Sequence, residues 1–329
     1  MNTQHWMMYL FLAFLLALVT ARAHAVQTPY GESDVPFTLH RVPGTQVYYV
    51  LGQSGVPGAD NQGHTSNAGF VVTARGVVVY DALGTPALGY RLLQAIRSVT
   101  DRPVSIVVAG HYHADHVYGL QAFREHTQAV IWAQRRCVDY LDGPVGRARL
   151  AQRREALFPW VDEKTYLVRP DKTFAKRHEF DMGDTHLELV YVGPAHAPDD
   201  TMMIVREAGV VFSGDLIYGG RLPFLGGDEV NTRNWLAGLK HLGAIKPAPR
   251  FIIPGHGQPA DDAAAAIGFT RGYIEYLRTQ MGKAAQDLTG FAQAYARTDW
   301  SRYRDVPTFK AANRKNAYHV YLEMEAESF

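Results

Sequence analysis

Residues 111–116 read His-Tyr-His-Ala-Asp-His, three imidazoles and a carboxylate in one short run. Such a density of ring nitrogens and charge is costly to gather unless a cation holds it, so the run points to metal coordination. His111 and His113 stand two apart and point the same way on an extended backbone. Asp115 and His116 fall where a helical pattern begins and can turn toward a second point. A strand-to-helix corner of this kind can serve two neighbouring ions, which a single helix face cannot. Four further residues of suitable type end apolar runs elsewhere. They are Asp81, His196 in Gly193-Pro194-Ala195-His196, Asp215 in Phe212-Ser213-Gly214-Asp215, and His256 in Pro254-Gly255-His256-Gly257. Loops at the ends of buried strands are where rigid scaffolds display chemistry.

Each of these residues taken alone has an ordinary explanation. Asp115 suits a helix cap, Asp81 a strand end, and the others turns; their joint occurrence favours ligation. His40, His126, His178, His186, His241 and His319 read as surface or structural residues. His64 lies in the polar loop 53–67, from which it can overhang the site. Tyr112 faces away from its histidine neighbours and reads as core packing. Tyr218, Arg221 and Asn231 flank the Gly-rich loop 219–227 and are weaker candidates for substrate contact. Asp261 and Asp262 suit a helix start.

The elements that would position these residues follow from periodicity. Segment 46–51 reads as a strand. Segments 68–73 and 77–80 are apolar and β-branched, joined by Ala74-Arg75-Gly76 as a hairpin. Leu88, Leu92, Leu93 and Ile96 recur at helical spacing over 86–99, with Pro86 at the start. The run 105–109 reads as a buried strand leading into His111, followed by a helix through Phe123 and a strand at 129–132. The Arg-rich stretch 134–160 reads as a helical insertion. Strands are expected at 186–192, 201–205, 210–212 and 251–253, helices at 231–242 and 261–286.

Composition sets bounds. With 33 basic and 32 acidic residues the net charge is +1, so bulk charge gives no support to nucleic-acid binding. Met7 to Val19 forms an apolar core, followed by small residues at alternate positions through Ala25. That pattern is a secretory leader, 1–25, and falls short of the roughly 20 residues that span a bilayer. It places the mature protein in the periplasm or outside the cell with no stable membrane span. The remaining chain divides into a main domain, 26–290, and a C-terminal extension, 291–329. Cys137 is the single cysteine, which excludes an internal disulfide and a thiolate metal cluster.

The five motifs in this order resemble the metallo-β-lactamase superfamily over about residues 45–260. The resemblance implies an α/β fold, a four-layer αββα sandwich of two mixed sheets flanked by helices. It implies two zinc ions, the first held by His111, His113 and His196, the second by Asp115, His116 and His256, with Asp215 bridging. Iron or manganese would suit the same nitrogen and oxygen ligands. Asp81 would lie behind the ligands and fix the histidine loop by hydrogen bonds. A carboxylate at 215 resembles the glyoxalase II and general hydrolase branches. Zinc β-lactamases mostly carry Cys or Ser there, which argues against efficient β-lactam hydrolysis. The chain also resembles exported zinc hydrolases associated with sulfur oxidation and quinoprotein relay systems.

The implied activity is hydrolysis of a small ester, thioester or amide by a metal-bridging hydroxide, with Asp115 orienting the nucleophile and shuttling its proton. The small-molecule substrate itself is not encoded in any motif, nor is the oligomeric state. Phosphodiester cleavage, β-lactam hydrolysis and iron-dependent redox chemistry are the alternatives that the same ligand set allows. A non-catalytic binding module is disfavoured by the complete ligand set.

Overall fold

The computed structural model describes residues 26–226 and 229–328. The leader expected at 1–25 lies outside the described residues. In chain order the elements begin with a short hairpin, β1 (Val26–Thr28) and β2 (Gly31–Ser33). Next come β3 (Leu39–Arg41), β4 (Val47–Val50), β5 (Ala68–Thr73), β6 (Gly76–Tyr80), α1 (Pro86–Val99) and β7 (Val104–Val108). They are followed by α2 (Ala114–Val117), α3 (Leu120–His126), β8 (Val130–Gln134), α4 (Arg136–Asp142), α5 (Pro144–Ala156) and β9 (Lys172–Phe174). The second half contains β10 (Arg177–Asp181), β11 (His186–Tyr191), β12 (Thr201–Val205), β13 (Val210–Gly219) and α6 (Thr232–Gly243). It ends with β14 (Phe251–Gly257), α7 (Ala263–Gln286), α8 (Phe291–Arg297) and α9 (Phe309–Ser328).

Strands β3 to β9 form one sheet in sequence order and β10 to β14 a second. The first is antiparallel as far as β6 and parallel from β6 to β9. The second is antiparallel as far as β13, which pairs β14 in parallel. The apolar runs have no polar alternation because both faces of these strands are covered. Along β6, Val77 and Val79 join the core under α1 and α3, whereas Val78 and Tyr80 join the core between the sheets. Along β12, Met203 and Val205 face the other sheet while Met202 and Ile204 pack toward α6 and α7. The period of two thus divides each strand between two cores. The result is the four-layer αββα sandwich with two mixed sheets.

Local chemistry explains the element ends. Thr85 caps α1, its side chain accepting from Leu88 N at 3.3 Å, and Pro86 takes the first helical position. The helix expected to run through Phe123 is instead two, α2 and α3, divided at Tyr118-Gly119. A Cβ on Gly119 would stand 1.8 Å from Ala82 O, so the glycine lets α3 close onto the strand end that carries Asp81. The Arg-rich stretch is helical, as α4 and α5. Asn231 caps α6, accepting from Asn234 N at 2.8 Å, and Asp262 caps α7, accepting from Ala265 N at 3.0 Å. The C-terminal α9 packs along α7 through Ala317, Val320 and Tyr321. No helix among the described residues is long and apolar enough to cross a membrane.

Candidate metal centre

The parallel pairing of β6 and β7 sets Asp81 beside the start of the histidine run. Asp81 has φ +61°, a left-handed conformation that turns the chain sharply off the strand. Its Oδ1 accepts from Gly110 N at 2.7 Å, and its Oδ2 lies 2.7 Å from His116 Nδ1. Ala82 N also donates to His116 O at 2.9 Å, so His116 is held by both ring and backbone. Its other nitrogen, Nε2, is thereby aimed away from Asp81, toward Asp215 Oδ1 at 3.3 Å.

His196 sits in the turn between β11 and β12. Asp200 shapes that turn, its Oδ2 accepting from Ala197 N at 2.7 Å. The segments expected to be turns at Asp215 and His256 are instead extended. Strands β13 and β14 run past Gly214 and Pro254 to pair Tyr218 with His256, with register shifts on the way. Ser-Gly-Asp and Pro-Gly-His-Gly carry local turn signals, but the close approach of two glycine-containing backbones lets pairing continue. A Cβ on Gly255 would lie 2.0 Å from Asp215 Oδ1.

The seven sequence-derived ligand candidates come together. His111, His113, His196 and Asp215 place one ligand atom each within 4.8 Å of one another, and Asp115, His116 and His256 form a second such group. His113 Nδ1 lies 2.9 Å from both His111 Nε2 and His196 Nε2. Asp215 stands between the groups, its Oδ2 3.1 Å from His196 Nε2 and 3.2 Å from His256 Nε2. Asp115 does not cap α2; its Oδ2 accepts from Thr65 Oγ1 at 3.0 Å and lies 3.5 Å from His256 Nε2.

The donor set fits divalent cations. Nε2 of His116 and Oδ1 of Asp215 are closed to water and have no hydrogen-bond partner. Buried polar atoms are seldom left so unless something else satisfies them. Burial pushes His111 and His113 well below the ordinary imidazole range, helped by His116 on the first and His196 on the second. Burial also brings His196 down to about 4. Their rings are therefore neutral at physiological pH, with lone pairs available. For Asp215, burial acts upward, but His256, His116, His196 and His111 hold the carboxyl well below its usual range. Asp115 behaves likewise: burial acts upward and is outweighed by His116 and His256. All-nitrogen-and-oxygen ligation suits zinc, iron or manganese.

Several residues at the site carry no sequence motif. His256 Nδ1 donates to Thr65 O at 2.6 Å, and Ser66 Oγ donates to Asp115 O. Asn67 Nδ2 donates to Pro254 O at 2.8 Å and Gly257 O at 2.9 Å, pinning the backbone on both sides of His256. The 53–67 loop therefore reaches the site through Thr65, Ser66 and Asn67. His64 is buried instead against Phe37, ring centroids 5.4 Å apart, and does not line the cavity. Asn231 is likewise a helix cap outside the cavity lining, while Tyr218 and Arg221 border it. Tyr218 donates from its hydroxyl to Asp215 Oδ2. Tyr112 stacks on Tyr140 at 3.8 Å, as packing requires, and its hydroxyl donates to Glu229 at the cavity wall. The cavity over the two clusters holds about 360 Å³ and is walled by Arg149 and Arg153 of α5, the loop after β13, and Lys315 of α9.

Residues 62–256 match the metallo-beta-lactamase superfamily. The chain is 24% identical over 242 residues to a linear primary-alkylsulfatase of Pseudomonas sp., covering 62% of this chain and 44% of that protein. It therefore spans less than half the length of that relative. It is 24% identical over 200 residues to a probable metallo-hydrolase of Bacillus subtilis, covering 60% of this chain and 87% of that one. Among solved structures, a metallo-beta-lactamase from Pontibacter korlensis superposes with a TM-score of 0.56 at 19% identity, over 73% of this chain and 99% of that one. A stereoselective inverting sec-alkylsulfatase from Pseudomonas sp. gives a TM-score of 0.68 at 17% identity, over 87% of this chain and 50% of that one. Superfamily match, sandwich architecture and clustered His/Asp side chains agree: the chain belongs to the metallo-beta-lactamase superfamily.

Proposed function

We propose that this protein is a dinuclear zinc hydrolase of a small ester, thioester or amide. The observation that carries the reading is Asp215, buried between two groups of ligand atoms with an oxygen toward each. His111, His113 and His196 would hold one ion, Asp115, His116 and His256 the other, with Asp215 shared. Bound there, the ions would supply Lewis acidity and a water acidic enough to act as nucleophile near neutral pH. The chain's own groups do the rest. Asp115 is partly open to the cavity, ionised, and hydrogen-bonded to Thr65, so it can orient the nucleophile and accept its proton. Asp81 and the Thr65 carbonyl fix the proton-bearing nitrogens of His116 and His256, which sets their opposite nitrogens toward the ions. Arg149 and Arg153 of α5 and the loop after β13 line the cavity beside these groups.

The test pairs metal quantification of protein purified without added metal with a panel of esters, thioesters, a chromogenic cephalosporin and a phosphodiester. About two zinc per chain with ester or thioester turnover supports the reading, whereas stoichiometric iron supports redox chemistry instead. Asp115→Ala should lower kcat by about a hundredfold or more, in the range of a lost general base. Full turnover in that variant with both metals retained would remove the role given to Asp115. Export rests on the leader pattern at 1–25, and fractionation of cells producing the full chain tests it.

A further inference from the structure

A smaller cleft of about 150 Å³ adjoins the metal cavity. Its apolar walls are Tyr140 of α4, Gly143-Pro144-Val145 at the corner between α4 and α5, and Pro198 in the turn that carries His196. Glu229 lines both the cleft and the metal cavity, so one side chain borders the two spaces. The charged residues of the cleft among those described are Arg136, Asp139 and Glu229. Cations do not outnumber carboxylates there, so charge does not select an anion. Its volume matches that of an engineered apolar cavity which binds benzene, on the order of 150 Å³. Apolar walls with a few polar groups are the usual lining of a small-molecule pocket.

Contacts hold most of these walls in place. Tyr140 stacks on Tyr112, with ring centroids 3.8 Å apart and 16° between the planes. Tyr112 stands between His111 and His113 and donates from its hydroxyl to Glu229. Pro198 O accepts from the Tyr191 hydroxyl at 3.0 Å. The remaining wall, Val145, is 56% exposed. The local sequence there is unusual for a helix start. Gly143 offers no capping side chain, and the first turn of α5 has no acidic residue. A polar cap and first-turn carboxylates ordinarily stabilise such a start. Pro144-Val145 instead turns apolar surface toward a cleft beside the metal centre, where covering it is favourable.

We infer that this cleft is a specificity pocket of the metal centre, and that the substrate carries an apolar group about the size of a phenyl ring. Tyr140, Val145 and Pro198 receive the group, which passes Glu229 to reach them. It lies toward the His111, His113 and His196 cluster, whose turn includes Pro198. The inference rests on the hydrolase reading, because it describes that reaction's substrate.

The test uses the zinc-loaded full chain with its metal content measured. The probes are S-ethyl thioacetate, S-ethyl 3-phenylpropanethioate and S-(2-phenylethyl) thioacetate, with the released thiol read by a chromogenic disulfide. At least one phenyl thioester should exceed S-ethyl thioacetate by about tenfold or more in kcat/KM, chiefly through KM. Preference for the phenylpropanethioate places the ring on the acyl side, and preference for the phenylethyl thioester places it on the thiol side. Val145→Asp sets a charge in the apolar wall at an exposed position. At wild-type zinc content it should lose most of the phenyl preference.

Calorimetric binding of 4-phenylbutan-2-one and butan-2-one, neutral ketones that cannot be hydrolysed, gives a readout independent of turnover. Wild type should bind the phenyl ketone about tenfold or more tightly than the other, and Val145→Asp should lose most of that difference. If no thioester is hydrolysed, the hydrolase reading fails for thioesters while the ketones still decide the cleft. Where turnover is measured, the absence of a phenyl preference, or one that Val145→Asp leaves intact, overturns the proposal. Where none is measured, equal ketone affinities, or a difference that Val145→Asp leaves intact, overturn it. Should Val145→Asp fail to fold by circular dichroism, Val145→Lys takes its place under the same criteria.

Discussion

His116 Nδ1 lies 2.7 Å from Asp81 Oδ2, and both side chains are fully closed to solvent. Burial acts to lower the His116 imidazole, but Asp81, Asp215 and Asp115 outweigh it and hold it well above its ordinary range. The hydrogen bond to Asp81 keeps a proton on Nδ1, so Nε2 is the nitrogen that would face an ion, and an ion bound there would displace any proton from it. Asp81→Ala should weaken metal binding at the Asp115/His116/His256 group about 10–100-fold, with less effect on the other group. Zinc titration against a competing chromophoric chelator measures both affinities. Two unchanged affinities would show that the bond does not position the ring.

Gly255 tests whether the centre depends on the close approach of β13 and β14. An added Cβ would meet Asp215 Oδ1 at 2.0 Å and Gly214 backbone carbon at 2.7 Å, so no rotamer change relieves it. Gly255→Ala should cost about 1–3 kcal/mol of stability through overpacking and reduce bound zinc. Gly268 is the contrast: it lies in α7 with nothing within 4 Å of a built Cβ. Gly268→Ala should stabilise by up to about 1 kcal/mol and leave zinc content unchanged. Denaturant midpoints and metal analysis of both variants give the comparison, and equal zinc loss in the two would defeat the packing argument.

Removing the ions should lower stability. Chelation leaves His116 Nε2 and Asp215 Oδ1 buried without partners. A ligand present at a hundred times its Kd stabilises the folded state by about 2.7 kcal/mol, so Tm should fall by several degrees on chelation and recover on adding zinc. Restoring turnover with iron or manganese but not zinc would change the identity of the working metal. A Tm that does not move as bound metal falls to zero would show that the cluster is stable by itself.

Asp199 gives a pH dependence separate from the ligands. It is buried beside Cys137, whose thiol it accepts, and burial raises its carboxyl to about 7. The unfolded chain ionises this carboxyl near 4, so the folded state binds the extra proton between the two values. Its contribution to stability is thus full below about pH 4 and is lost as pH rises through 7. Between pH 5 and 8 the loss should be on the order of 2–3 kcal/mol relative to Asp199→Asn, which has no such titration. Urea midpoints of both proteins at the two pH values provide the measurement; parallel pH profiles would contradict the assignment.

Much of the fold was legible because its signals are local. The helix 86–99 has its Pro, its Thr cap and its apolar spacing in one stretch, and the structure places α1 at those residues. The hairpin 68–80 and the strand before His111 were readable from β-branched runs between turn residues. The divided helix at Gly119 and the extension of β13 and β14 past Asp215 and His256 were not readable. Each depends on a backbone approach from a distant segment, Ala82 in the first case and the partner strand in the second.

The amino-acid sequence alone determined which residues could ligate metal. Imidazole and carboxylate are scarce enough in apolar surroundings that their placement after five apolar runs carries meaning without coordinates. Only the tertiary structure decided what surrounds them. Thr65 and Asn67 are ordinary polar loop residues until folding sets them against Asp115, His256 and the β14 backbone. Arg221 and Lys315 are two cations among many in a chain of near-neutral charge. Burial between Tyr218 and Phe224, and the docking of α9 on the loop after β13, bring them to one cavity. Ligand identity is a property of side-chain type and local spacing, whereas cavity shape and field are sums over contacts between residues far apart in the chain.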